Sequence, residues 1–183
     1  MKKLFKTLAA LAVVAALGFG FVSCGDPEDD NDGNPGSGAI PTEGIAERFK
    51  DVKYSHSSEE EAIAKVENDE RETSSYGWSE RFIYFYENGT YILFHHDCTY
   101  SKFLTAGKVE KSSDKTIVEE KGTYKLTGTF DSGSIEFTAT HTVNPFNEKL
   151  VEVGTQYSET ETIENGKFST YNRYMGYGNF EKQ

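Results

Sequence analysis

Four consecutive residues, His95-His96-Asp97-Cys98, form the densest group of metal-ligating and nucleophilic side chains in the sequence. In an extended chain successive side chains point to opposite faces, which pairs His95 with Asp97 on one side and His96 with Cys98 on the other. Two donors on a face fall short of the three or four protein ligands that zinc takes, and His56 and His141 are the only other histidines. We read the four as polar residues at a strand end and expect no metal. A Cys98 thiolate with His96 as its base is the second chemistry this spacing allows, but no orienting or oxyanion-stabilising motif accompanies it. Glu159 and Glu161 share a strand face with Tyr157 and Ile163; on a Thr-rich ribbon they read as solvated rather than as a catalytic pair. Gly-x-Ser-x-Gly, P-loop and His-Glu-x-x-His patterns are absent, so the expectation is no catalytic residue, no cofactor and no enzyme.

The elements that must position these residues are mostly strands. Arg81 to Glu87 and Thr90 to His95 are rich in aromatic and β-branched residues and flank Asn88-Gly89, a dipeptide that accepts the positive φ angles of a type I′ hairpin turn. A two-residue loop sets Tyr86 opposite Tyr91, Tyr84 opposite Leu93 and Phe82 opposite His95, with Ile83, Phe85, Ile92 and Phe94 on the other face. Both faces are apolar, so both need a cover. A second hairpin turns at Asp131-Ser132-Gly133, with Tyr124, Leu126, Phe130, Ile135, Phe137, Ala139 and Val143 facing inward and Lys, Glu or Thr at the alternate positions. A third turns at Asn165-Gly166 and sets Ile163 opposite Phe168, Glu164 opposite Lys167 and Tyr157 opposite Tyr174. Further runs lie at Cys98 to Lys108, Thr116 to Lys121 and Lys149 to Thr155. The total of seven or eight strands in consecutive order fits an all-β antiparallel up-and-down barrel, with a β-sandwich as the alternative.

Two helical signals precede the strands. Ile45, Phe49 and Val52 fall at helical spacing after Thr42, and Ser58-Glu59-Glu60-Glu61 fits a capping box ahead of Ala62, Ile63 and Val66. One or two short helices are expected there, and a polar loop from Glu67 to Ser75.

The chain has 183 residues and 19 Lys+Arg against 30 Asp+Glu, a formal charge of -11. Residues Met1 to Ser23 hold Lys2, Lys3 and Lys6 and no acid, so the remainder carries 16 bases against 30 acids, or -14. Nucleic-acid partners are excluded on that balance, because tracking phosphates takes clustered positive charge. The basic start and the short apolar run from Leu8 to Val22 read as an export signal rather than a membrane span. Phe21-Val22-Ser23-Cys24 resembles the lipobox of bacterial lipoproteins, which implies cleavage before Cys24 and a diacylglycerol on its thiol. The following Gly25 to Thr42 is acidic and rich in Gly and Pro, and reads as a disordered tether. Its acids are similar to the export signal of Bacteroidetes surface lipoproteins. With Cys24 acylated, Cys98 has no partner for an intramolecular disulfide.

Asn88-Gly89-Thr90-Tyr91, Gly122-Thr123-Tyr124-Lys125-Leu126 and the return strand Gly133-Ser134-Ile135-Glu136-Phe137 resemble the lipocalin-like domains of small lipoproteins from Bacteroidetes and spirochaetes. The resemblance covers about Tyr76 to Phe180 and implies a calycin-type barrel; it says little of any ligand. The organisation expected is a signal peptide over 1–23, a lipidated cysteine and tether over 24–42, and a barrel domain over 43–183. The protein is expected to be exported and lipid-anchored to the outer membrane, at the cell surface, as a non-enzymatic binding module. Phe82, Tyr84, Tyr91, Leu93, Tyr124 and Phe137 are expected to line an interior pocket for a small hydrophobic or amphipathic ligand. The alternative is a filled core, with exposed tyrosines such as Tyr171, Tyr174 and Tyr177 binding a protein or glycan.

Overall fold

The structure, a computed structural model, describes residues 40–103, 108–154, 158–172 and 174–183. The expected signal peptide, Cys24 and nearly all of the tether lie outside the described residues. The elements are β1 (Ile45–Asp51), α1 (Glu59–Glu67), β2 (Ser74–Tyr86), β3 (Thr90–Lys102), β4 (Val109–Gly128), β5 (Ser132–Val143), β6 (Leu150–Glu152), β7 (Ser158–Glu164), β8 (Lys167–Asn172) and β9 (Gly176–Lys182). Adjacent strands run β4-β3-β2-β1-β9-β8-β7-β5, and the β4–β5 pairing closes the ring into an eight-stranded antiparallel barrel. The short β6 pairs with the far half of β5. The all-β, up-and-down barrel is the expected architecture, and closure removes the sandwich alternative.

Helix α1 starts where its capping box predicts. The Ser58 side chain accepts from the Glu61 N–H, and the Glu61 carboxylate accepts in return from the Ser58 N–H. Its apolar stripe, Ala62 and Val66, covers Trp78, Cys98 and Tyr100 on the outer wall of β2 and β3. The helix expected over Ile45, Phe49 and Val52 is instead β1, an edge-filling strand that joins β2 to β9. Without β1 the facing edges of β2 and β9 would be unpaired, and satisfying their backbone groups outweighs a weak helical periodicity.

The interior cluster takes residues from every barrel strand. Phe49, Ile83, Phe85, Tyr91, Leu93, Ile135, Phe137, Ile163, Phe168 and Phe180 are buried together, with Tyr124, Leu126 and Phe130 against them. Phe49 and Phe85 sit at its centre, 5.7 Å apart edge to face. Phe49 also lies 5.0 Å from Phe168.

The first hairpin departs from its expected register. Of Asn88 and Gly89 only Gly89 has positive φ, at 80°, so the turn is not type I′, which needs two such residues. The loop is three residues long: the Gly89 N–H donates to the Tyr86 carbonyl at 3.0 Å, and Phe85 pairs with Tyr91. One added residue reverses the facing of a strand relative to its partner. Ile83 and Phe85 therefore share the interior with Tyr91 and Leu93, whereas Phe82 and Tyr84 point outward. The interior placement expected for Phe82 and Tyr84 is corrected on that ground; they form an external aromatic group with Phe94, and Lys50 lies over the Phe82 ring. The second hairpin keeps its expected facing, with Tyr124 opposite Phe137 and Leu126 opposite Ile135.

Candidate functional site

Of the six residues expected to line a pocket, Tyr91, Leu93, Tyr124 and Phe137 face the interior. The void they border is small. It measures about 10 Å³ and is lined by Tyr91, Leu93 and Phe137 together with Ile83, Glu120 and Thr170. That is room for about one water molecule. The aromatic side chains fill the barrel.

Beyond the aromatic layers the interior becomes charged. Arg81 follows Ile83 and Phe85 along the inward face of β2 and is 1% exposed. It donates from Nε and Nη2 to the Glu119 carboxylate at 2.7 to 3.1 Å, a bidentate geometry, and from Nη1 to Asp51 at 2.9 Å. The other Asp51 oxygen accepts from the backbone N–H groups of Lys53, Tyr54 and Asn179. This carboxylate ties the end of β1 to β9. Glu119 reaches the site through a bulge: Leu93 pairs with Glu120 and Phe94 with Val118, so Glu119 is the extra residue. Both Glu119 and Glu120 are consequently buried. The Tyr91 hydroxyl donates to Glu120 at 2.5 Å, and the Asn172 amide donates to its other oxygen.

His95 is the hinge of the network. Its Nδ1 lies 2.9 Å from Glu119 and its Nε2 3.4 Å from Asp97. Burial is the largest influence on the ring and favours the neutral form, but hydrogen bonds and charge from Asp97 and Glu119 together outweigh it and raise the pKa to about 9. The ring is thus an imidazolium at neutral pH, its Nδ1–H donating to Glu119 and its Nε2 in an ion pair with Asp97. Asp97 is held below its ordinary range chiefly by the His95 hydrogen bond. Tyr54, whose hydroxyl donates to Asp97 at 3.2 Å, is raised by burial and then by Asp97. Tyr174 stacks on His95 at 5.9 Å with the ring planes 7° apart.

His95 and Asp97 are therefore brought together, as their spacing predicts. His96 and Cys98 share the opposite face without forming a pair. His96 Nε2 lies 2.5 Å from Asp114 and its ring meets Trp78 edge on. Cys98 is buried beneath α1, and burial raises its thiol pKa. The His96 Nε2 is turned to Asp114 rather than to the thiol, and a buried, protonated thiol is a poor nucleophile. Among the described residues no group of three or more His, Cys, Asp and Glu is arranged to hold a metal ion.

Glu159 and Glu161 are not on the solvated face. They alternate with exposed Ser158, Thr160 and Thr162 and point inward, half-buried, on the same face as buried Ile163. Burial, then the Glu159 charge, raises the Glu161 pKa. On the outer wall Tyr171 and Tyr177 form a cross-strand pair, ring centroids 5.1 Å apart, and are 44% and 66% exposed. Tyr157 lies outside the described residues.

Sequence reasoning missed Asp51, Arg81 and Glu119. Their only signal is a charge set within or beside an apolar run, as in Arg81-Phe82-Ile83 and Ile117-Val118-Glu119. Comparison of the chain with protein-family models, with curated proteins and with solved structures finds no match.

Proposed function

We propose that this protein is an exported lipoprotein, anchored through Cys24 to the outer membrane at the cell surface, that works as a non-enzymatic binding module through its outer wall. The observation that carries the choice is the filled interior: a void of about 10 Å³ compares with the roughly 300 Å³ or more of small-molecule sites. The outer wall, by contrast, offers the Tyr171–Tyr177 pair beside hydroxyl and amide groups. The Ser169 hydroxyl donates to Asn179 at 2.8 Å directly next to it. Exposed rings flanked by polar groups suit a protein or glycan partner, since aromatic residues bury large area at low entropy cost. The acidic balance of the chain argues against nucleic acid, and Phe21-Val22-Ser23-Cys24 supports the anchor.

Native mass spectrometry of the full protein, extracted in mild detergent from its own cells, tests this reading. The expected mass is the chain from Cys24 plus its acyl groups, with nothing further released on denaturation. A stoichiometric small molecule lost on denaturation would overturn the filled-core reading, and an unmodified Cys24 would overturn the anchor.

A further inference from the structure

Around the barrel one seam differs from all others. β7 pairs with β5 along its whole length, from Ser132↔Glu164 to Thr138↔Ser158, and β8 pairs with β9 from Lys167↔Glu181 to Asn172↔Gly176. Between β7 and β8 the ladder holds one registered pair, Glu164↔Lys167, at the Asn165-Gly166 turn. Past that pair the strands part. The edge of β7 turned away from β5 and the edge of β8 turned away from β9 therefore carry backbone donors and acceptors without a strand opposite them, the condition that invites strand addition.

A shallow outer groove reaches the turn end of this seam. That groove, of about 600 Å³, is lined by Thr162, Glu164, Lys167, Phe168 and Ser169 at the seam and extends over β9 to Asn179, Phe180 and Glu181. The small interior void reaches the same seam from within through Glu159, Thr170 and Tyr171. The flanking charge has one sign. β7 reads Ser-Glu-Thr-Glu-Thr-Ile-Glu, three acids and no base. Lys167, the lysine of β8, is already paired with Glu181 at 2.7 Å. Glu159 and Glu161 have neither a hydrogen bond nor a cation among the described residues, and burial together with the Glu159 charge raises the Glu161 pKa.

We propose that the β7–β8 seam is an acceptor slot for an extended, cationic segment of a partner protein, whose backbone pairs with the free edges of Ser158–Thr162 and Phe168–Asn172 and whose Lys or Arg side chains meet Glu159 and Glu161. The proposal rests on the outer-wall reading above and names the partner's chemistry. A second copy of the chain is a poor occupant, because it would bring the same three glutamates against these. Strands stand 4.7 to 4.9 Å apart in a ladder, so the entering strand separates β7 and β8 by about twice that. Each is held by a different neighbour, β5 or β9, which lets them move apart without loss of those ladders. Alternate residues of the entering strand then face inward to the two carboxylates and outward to Thr160, Thr162 and Tyr171.

The test uses the full protein in detergent micelles and three short synthetic peptides: alternating Lys-Val, alternating Glu-Val, and Lys-Val with a central Pro. Fluorescence anisotropy reads binding, and amide hydrogen exchange reads protection. The expected result is binding of Lys-Val alone, with new protection on both Ser158–Thr162 and Phe168–Asn172. Glu159→Gln with Glu161→Gln weakens it about tenfold or more, and Pro abolishes it by removing a donor. Equal binding of the Pro peptide, or binding without edge protection, overturns the slot and leaves only a diffuse charge effect. No binding of Lys-Val also overturns it. The outer-wall reading fails separately, on a bound small molecule in the native mass.

Discussion

Replacing Arg81 with Met is the sharpest perturbation of this barrel. Arg81 is 1% exposed, and the carboxylates it serves, Asp51 and Glu119, are both 0% exposed. Arg81→Met keeps most of the side-chain volume but leaves Glu119 with His95 as its remaining cation and Asp51 with backbone donors alone. Stranding one member of a buried ion pair costs about 3–5 kcal/mol, because the desolvated charge persists without its counter-charge. For a folded part of this size that is roughly 10–15 °C in Tm. Trp78, the sole tryptophan, lies under α1 and gives a fluorescence signal for urea unfolding at neutral pH. A loss below about 1 kcal/mol would refute the reasoning, since it would mean that solvent already reaches these groups. The double variant Arg81→Met, Glu119→Leu supplies the internal control. It removes the stranded Glu119 charge but leaves Asp51 without its cation and takes the Glu119 carboxylate from His95, so it is expected to restore only part of the loss.

Stability is expected to fall with rising pH on account of His95: its folded-state pKa of about 9 lies above the ordinary 6.5, so its contribution is complete below 6.5 and disappears as pH rises through 9. Between pH 7 and 10 the loss is roughly 2–3 kcal/mol, and urea titrations of the wild type and His95→Gln are expected to converge over that range; parallel curves would count against the imidazolium. Gly122→Ala places a Cβ 2.0 Å from the Thr138 carbonyl at the β4–β5 bulge, a backbone clash expected to cost about 3 kcal/mol or to prevent folding, as read by circular dichroism and soluble yield. Cys98 is expected to resist maleimide in the native protein and to react fully in urea; rapid native labelling would show that α1 does not stay docked.

Local chemistry made some of this molecule legible in the sequence. The capping box fixed the start of α1 because its two hydrogen bonds join residues three apart, and alternation along Tyr124 to Phe137 fixed which side of the second hairpin faces inward. Asn165-Gly166 forms the two-residue turn its sequence implies, with φ of 53° and 69°. The same dipeptide at Asn88-Gly89 does not. There the Asn88 side chain accepts from the Thr90 N–H at 3.0 Å, and the Tyr124 backbone N–H on β4 donates to the Gly89 carbonyl. These contacts accompany a three-residue loop that turns Phe82 and Tyr84 to the outside, and the outward placement follows from register, which dipeptide chemistry alone does not set. The strand identity of Ile45–Asp51 comes from the need to close a ring between β2 and β9. Arg81, Asp51, Glu119 and His95 are 14 to 68 residues apart in the chain from one neighbour to the most distant, and only barrel closure together with the bulge at Glu119 brings their charges within hydrogen-bond reach. Short-range hydrogen bonding and periodicity are written in neighbouring residues; register, closure and buried charge pairing are properties of strands meeting across the barrel, where tertiary packing decides.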